Sequence, residues 1–293
     1  MNNNKIVDCK QIAIALEEKL QIEVQNLISQ DITPTFATIL VGENPASMIY
    51  VKNKHKKAMA LGIKNNMYHL DENTSESELL DLITELNQDE QVHGMITQLP
   101  LPKHMDTTKI LNSISPQKDI DGLNPINIGY LATQNQDGMI PCTPLGCLHI
   151  IKTLLGNDLA GKHAVVVGRS NLVGLPMAQL LLNSNATITV AHSKTTNLEE
   201  ICKQADILVS AVGRANFINA SHIKENAVVV DVGINKVNID GISKIVGDVN
   251  MESALPLVKH ITPVPKGVGL LTIMFLMSNV VKSAKKLQKL NYN

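Results

Sequence analysis

Residues 163–182, HAVVVGRSNLVGLPMAQLLL, hold an apolar run that stops at Gly168, a short turn, and a second apolar run that opens at Gly174. Strand, turn and helix in that order put backbone N–H groups and a helix N-terminus where a pyrophosphate can sit. The spacing departs from GxGxxG, because five residues separate the two glycines. A ligand-free strand–helix turn would carry the same pattern. The next apolar run, ATITVA, is followed by His192, Ser193, Lys194 and Thr195, with no acid before Glu199. An acid at that point grips the ribose diol of NAD, whereas a hydroxyl and cations suit a 2′-phosphate. Arg169, ending the preceding strand, adds a charge-assisted partner, so the pattern favours NADP over NAD.

A second group of residues could do chemistry. Ser47, Tyr50 and Lys54 fall at i, i+3 and i+7 of one helical run, which places Tyr50 and Lys54 on a common face. Basic helical residues are ordinarily solvated, and the neighbours Lys52, His55, Lys56 and Lys57 fit that plainer reading. Gln98 closes an apolar run and precedes Leu99-Pro100-Leu101-Pro102. Ligands of open α/β sheets gather outside the carboxyl ends of strands, so Gln98 is well placed, although a polar cap on the turn would look the same. Asp119 and Asp121, in SPQKDIDGL, read equally as turn residues beside Gly122.

These candidates need elements to hold them. Over 8–30 the apolar spacing predicts an amphipathic helix, and PTFATILV (34–41) a buried strand. Asn44-Pro45 supplies a cap and a first-turn proline for a helix that Gly62 closes. A strand over 63–69, a helix over 75–88, a strand over 92–98 and a short helix follow. From about residue 141 the alternation restarts: helix 144–155, strand 164–167, helix 174–182, strands 187–191, 207–211 and 227–231, and a last helix 267–290. Repeated strand–helix–strand units imply parallel sheets covered on both faces, and 293 residues suit two such α/β domains.

Composition narrows the partners. Net charge is −1, so no basic field points to nucleic acid or to an anionic membrane. The N-terminal residues show no apolar signal segment, and Leu270–Val281 reads as a buried helix too short to span a bilayer. Cys9, Cys142, Cys147 and Cys202 lack metal-ligand spacing, so free thiols of a cytoplasmic protein, with no metal, are expected.

Taken together, SMIYVKNKHKKA (47–58), GMITQLPLP (94–102), PQKDIDGLNP (116–125), PCTPLG (141–146), VVGRSNLVGLP (166–176), VVDVGIN (229–235), GDV (247–249) and ITPVPKGVGLLT (261–272) resemble the bifunctional methylenetetrahydrofolate dehydrogenase/methenyltetrahydrofolate cyclohydrolase family. The resemblance covers nearly the whole chain in the family's order. It implies NADP-dependent oxidation of 5,10-methylenetetrahydrofolate, then hydrolysis of the methenyl product to 10-formyltetrahydrofolate, within one-carbon metabolism and purine biosynthesis. It also implies a folate-binding domain of residues 1–140 plus 270–293, a Rossmann-type NADP domain of 141–269, a folate cleft between them, and a homodimer. By resemblance Lys54 is the central catalytic residue, assisted by Gln98, with Tyr50 along the folate ring and Asp121 holding the pterin. Ser47, Leu99, Pro100, Pro265 and Gly267 join the substrate site. Thr143, Gly168, Arg169, Ser170, Gly174, Ser193, Gly213 and Ile234 contact NADP. An ordinary lysine is almost wholly protonated at pH 7, so a base role asks the site to favour the neutral amine. Gln98 helps if its N–H donates to that amine and opposes if its carbonyl accepts; the sequence leaves this open.

The last motif departs from the family's usual PGGVGPMT. Lys266 stands in place of a glycine, Leu270 of a first-turn proline, and Leu271 of a methionine; Ala215 also replaces a common proline. Three other readings therefore remain: a dehydrogenase without the hydrolase, a non-catalytic NADP-binding scaffold, and an unrelated NADP oxidoreductase of small hydroxy acids. His192 and His222 have no supporting pattern for the last.

Overall fold

The computed structural model describes residues 5–239 and 241–291. The chain opens with α1 (Cys9–Ile28), β1 (Thr35–Val41), α2 (Pro45–Leu61), β2 (Lys64–Leu70), α3 (Glu76–Gln88), β3 (Gly94–Thr97), α4 (Thr107–Ser113) and α5 (Pro125–Ala132). It continues with α6 (Cys142–Leu155), β4 (His163–Val167), α7 (Gly174–Leu182), β5 (Thr187–Ala191), α8 (Leu198–Cys202), β6 (Ile207–Ser210) and β7 (Val228–Asp231). A hairpin of β8 (Asn235–Ile239) and β9 (Ile242–Val246), then α9 (Met251–Ala254), β10 (His260–Ile261) and α10 (Val268–Asn291) complete it. The fold is α/β in two compact units: residues 15–142 with 273–293, and residues 1–14 with 143–272.

In the first unit β1 is the central strand of a parallel sheet ordered β2-β1-β3. All seven residues of β1 are buried, which explains its continuous apolar run. Ala37, Ile39 and Val41 share a core with Leu79, Ile83 and Leu86 of α3 and Ile110 of α4. Helix α2 starts as its sequence dictates: Asn44 Oδ1 accepts from Ser47 N–H at 3.1 Å, and Gly62 closes the helix at φ +81°. Ser75 and Glu78 form a reciprocal capping box that sets the start of α3.

The second unit carries five parallel strands ordered β10-β7-β6-β4-β5. Counted from β4, that is the doubly wound order 2-1-3-4-5, which reverses direction between β4 and β6. Val165, Val167, Leu208, Val229 and Ile261 build its core with Cys202, Ile218, Ile223, Ala254 and Val258. Residues 5–14 belong here because Ile6 bridges Ile261, with Val7 N–H donating to Ile261 O at 2.9 Å and Ile261 N–H to Lys5 O at 2.9 Å. Periodicity did not reveal that short edge contact, nor helix α5 or the β8–β9 hairpin.

Helix α10 corrects one expectation. Its apolar window, Val268–Leu287, is 20 residues long, enough by length and composition to cross a membrane, and 61% of it is buried inside the fold. Leu270–Val281 is therefore only the middle of a longer apolar run, spent on core packing. The four cysteines are free and buried.

Candidate active site

Helix α2 presents Ser47, Tyr50 and Lys54 on one face, and the segment just after β3 meets it. Lys54 Nζ donates to Gln98 Oε1 at 3.0 Å, and Ser47 Oγ donates to Leu99 O at 3.3 Å. Gln98 Nε2 donates to the same Leu99 carbonyl at 2.8 Å. A carbonyl can only accept, so the amide nitrogen must face Leu99 and the amide oxygen must face Lys54. The open question about Gln98 is thus answered in favour of the acceptor. Gln98 itself is placed by its backbone N–H, which extends the β1–β3 ladder to Ile39 O at 2.8 Å. Tyr50 lies one turn before Lys54 and is exposed, and partial desolvation raises its phenol above the ordinary value. Pro100 is exposed beside them.

Asp119 and Asp121 separate into different roles. Asp119 is 3% exposed and accepts from Gly122 N–H (3.1 Å), Asn124 N–H (2.7 Å) and Asn127 Nδ2 (2.9 Å). It ties the turn together, and burial pushes its carboxyl up. Asp121 is half-buried and none of these bonds involves it. Its flanks are fixed: Asn279 of α10 donates to Ile120 O at 2.8 Å and to Ile140 O at 2.9 Å. A Cβ on Gly122 would come within 2.6 Å of Ile140 C and Pro141 N. Burial drives the Cys142 thiol well up; the charge of Asp121 adds to that and the charge of Lys54 opposes it, so both lie near one buried sulfur.

In the other unit, Gly168 and Gly174 form a tight cradle. Gly168 has φ +121°, and a Cβ there would meet Ala211 O at 2.3 Å; one on Gly174 would meet Gly168 O at 2.1 Å. The turn after β4 is thus pressed onto the loop after β6, at the point where strand order reverses. Ser170 Oγ accepts from Val173 N–H (3.2 Å) and Gly174 N–H (3.5 Å), and Ser170 O from Leu175 N–H (3.1 Å). Pro176 has no N–H. The first amides of α7 are therefore largely taken up inside the turn, and exposed Arg169 and the Ser170 O–H are among the donors left facing outward. Val167 pairs with Ala191, so exposed Arg169 and exposed Ser193 sit at adjacent strand ends.

Thr272 Oγ1 donates to Val268 O at 3.3 Å, so Thr143 is the donor in the 3.0 Å bond between the two hydroxyls. Gly213 and Ile234 are exposed at the ends of β6 and β7. Thr143, Pro265 and Gly267 belong to this second unit, not to the unit that carries Lys54. Lys266 is exposed with φ +70°, the backbone region for which glycine is suited. A Cβ on Gly267 would meet Pro263 O at 2.0 Å, and Leu270 N–H donates to Gly267 O at 3.1 Å, a bond that proline could not make.

Residue-by-residue reading gave no role to Asp231 and Asp248. Asp231 sits inside the apolar stretch VVVDV and Asp248 between Gly247 and Val249, and a buried acid there has to be matched by donors, which was the available signal. Asp231 accepts from Gly233 N–H (2.9 Å), Asp248 N–H (2.9 Å) and Val249 N–H (2.8 Å). Burial lifts its carboxyl to about 6, with the charge of Asp248 adding to the effect and the three N–H bonds opposing it.

Two family descriptions match this chain: tetrahydrofolate dehydrogenase/cyclohydrolase, catalytic domain, over residues 7–121, and its NAD(P)-binding domain over residues 141–288. The chain belongs to this family. Bifunctional protein FolD 1 of Acinetobacter baylyi is 51% identical over 281 residues, covering 96% of this chain and 94% of the relative. The crystal structure of the Campylobacter jejuni bifunctional enzyme FolD, a methylenetetrahydrofolate dehydrogenase/cyclohydrolase, is 47% identical with TM-score 0.91, covering 95% of this chain and 98% of that one. The Trypanosoma brucei FolD structure, complexed with NADP cofactor and inhibitor, is 35% identical with TM-score 0.90, covering 96% and 97%.

Proposed function

We propose that this chain oxidises 5,10-methylenetetrahydrofolate with NADP and hydrolyses the methenyl product to 10-formyltetrahydrofolate. The observation that carries the reading is the Lys54–Gln98 bond of 3.0 Å at the carboxyl end of β3, within the part matched to the family's catalytic domain. The unit of residues 15–142 with 273–293 holds folate, and the unit that includes residues 143–272 holds NADP.

The tight Gly168–Gly174 turn, packed on the loop after β6 where strand order reverses, fits a dinucleotide site, and Arg169, Ser170 and Ser193 offer donors rather than a carboxylate to a 2′-phosphate. Thr143, Gly213 and Ile234 complete that site. Bound NADP would supply the acceptor for the hydride of the methylene carbon, whose loss leaves a cationic amidinium on the folate. In the folate unit Tyr50 lies along the ring, Asp121 accepts from pterin N–H groups, and Ser47, Leu99 and Pro100 bound the substrate; Pro265 and Gly267, of the NADP unit, bound it as well.

Hydrolysis adds water oxygen to the bridging carbon, breaks its bond to N5, moves one proton to N5 and releases another. Lys54, donating one N–H to Gln98, keeps the nitrogen in place to relay protons when neutral. The Gln98 carbonyl faces that nitrogen, and the positive methenyl substrate repels a like charge placed beside it. The enzyme acts as a cytoplasmic homodimer, apart from nucleic acid and membranes, and its product serves one-carbon metabolism and purine biosynthesis.

The test is a spectrophotometric assay with methylenetetrahydrofolate and NADP, following NADPH and methenyl absorbance separately. NADPH formation without lasting methenyl supports both steps. Persistent methenyl removes the hydrolase, and no turnover by folded protein removes the proposal.

A further inference from the structure

Asp248 has both carboxylate oxygens filled by this chain's own donors. Oδ2 accepts from Val212 N–H at 2.7 Å, Gly213 N–H at 3.1 Å and Ser210 Oγ at 3.4 Å. Oδ1 accepts from Arg214 N–H at 2.9 Å and Asn235 Nδ2 at 2.9 Å. The residue is 0% exposed, so water cannot replace any of these partners. Three successive backbone amides closing on an anion make a nest, and here the anion is internal. The loop they belong to follows β6, beside Gly168, where the strand order reverses and a ligand of such a sheet binds. Asn235 adjoins Ile234 at the end of β7. One carboxylate thus fixes both segments.

The carboxylate is itself held. Asp231 Oδ1 accepts from Asp248 N–H at 2.9 Å and Asp231 Oδ2 from Val249 N–H at 2.8 Å, while Asp231 N–H donates to Thr262 Oγ1 at 2.8 Å. There is no spare room around the pair: a Cβ on Gly233 would come within 2.1 Å of Asp248 Oδ1, and one on Gly247 within 1.8 Å of Asp231 Oδ2.

We propose that Asp248 is the positioning residue of the nucleotide site, holding the Val212–Arg214 loop and the Ile234–Asn235 segment in their binding geometry without touching the nucleotide. The proposal rests on the NADP-binding reading above and deepens it. It also assigns the amides of Val212, Gly213 and Arg214 to Asp248, so phosphate contacts fall to other donors such as Arg169. All five groups facing Asp248 are donors. Asp248→Asn keeps the shape but turns an NH2 toward N–H groups, which no flip of the amide cures.

The experiment measures NADP binding by calorimetry, with NADP alone as the probe, and amide hydrogen exchange on nucleotide-free protein. In Asp248→Asn the NADP dissociation constant should rise about tenfold or more, the scale of losing charge-assisted bonds. The amides of residues 212–214 should exchange faster before any nucleotide is added. Hydrolysis of supplied methenyltetrahydrofolate should move by less than about threefold, because that step consumes no nucleotide. If Asp248→Asn does not fold, Asn235→Ser decides, since it removes one donor of five and should weaken NADP binding a few-fold with faster exchange at the same amides. A folded variant with wild-type NADP affinity overturns the proposal, as does exchange that stays unchanged at 212–214. Wild-type protein that binds NADP but turns over no folate would sink the proposed function and leave this assignment standing.

Discussion

Lys54 Nζ lies 3.0 Å from Gln98 Oε1, and the orientation of that amide is dictated by Leu99 O, 2.8 Å from Gln98 Nε2. The glutamine is therefore an acceptor for the lysine. Gln98→Glu would strengthen the hold on an ammonium by adding charge, and hydrolysis of methenyl substrate should fall about 10- to 100-fold. Oxidation should fall less, since hydride transfer needs no proton acceptor. Single-turnover assays of the two steps separate them; equal loss of both would reject the asymmetry.

Nucleotide preference should follow the strand ends after β4 and β5. Ser193→Glu places a carboxylate where the sequence has none and should raise the KM for NADP by about 10-fold or more. The KM for NAD should stay level or fall. Arg169→Ala is expected to raise the NADP value alone, and comparing both nucleotides in one assay checks each case.

Thr97 ends β3 with a buried Oγ1 that has no hydrogen-bond partner among the described residues. It follows Met95 on the face shared with Ile39 and α3. A buried hydroxyl left unpaired costs about 1–3 kcal/mol. Thr97→Val removes the group at nearly equal volume and should raise unfolding stability by about 1 kcal/mol, read from urea midpoints.

Lys266 holds φ +70° with its side chain exposed. Lys266→Gly should stabilise the protein by about 0.5–1 kcal/mol, the usual cost of a left-handed residue less the entropy of the unfolded glycine. Lys266→Ala should give no gain, because the strain is in the backbone. Equal gains from both would move the cause to the side chain.

His93 contributes one part of the pH dependence. Burial pushes its imidazole below the ordinary value, and Nδ1 already accepts from Thr35 N–H at 3.1 Å, so protonation there breaks a bond. A lowered value in the folded state means its contribution is present above about 6.5 and is lost as pH falls through the folded value. His93→Gln, whose Oε1 can still accept, should lose less stability between pH 7.5 and 5.5 than wild type, by about 1 kcal/mol. Identical slopes for the two proteins would clear His93.

The order of elements was legible because each rests on local rules. The continuous burial of β1 reads as TFATILV, the start of α2 reads as Asn44-Pro45, and α7 and β5 fall where apolar runs meet glycine or polar turns. Helix α5 and the β8–β9 hairpin were not visible, as Asn124-Pro125 begins only eight helical residues and the exposed hairpin has little apolar alternation to show.

The candidate site divides the same way. Residue types and spacing marked Lys54, Gln98, Asp121 and the glycines at 168 and 174, since strand ends and helix turns are local. They did not tell Asp119 from Asp121, which differ only in what faces them: three donors on one, none of those on the other. By itself the sequence determined two α/β units and the residues at their strand ends, through burial patterns that each segment carries alone. The order of strands, the meeting of Lys54 with Gln98 and the enclosure of Asp248 came only with tertiary structure, because each joins segments that no local rule links: Lys54 and Gln98 lie 44 positions apart, Val212 and Asp248 36.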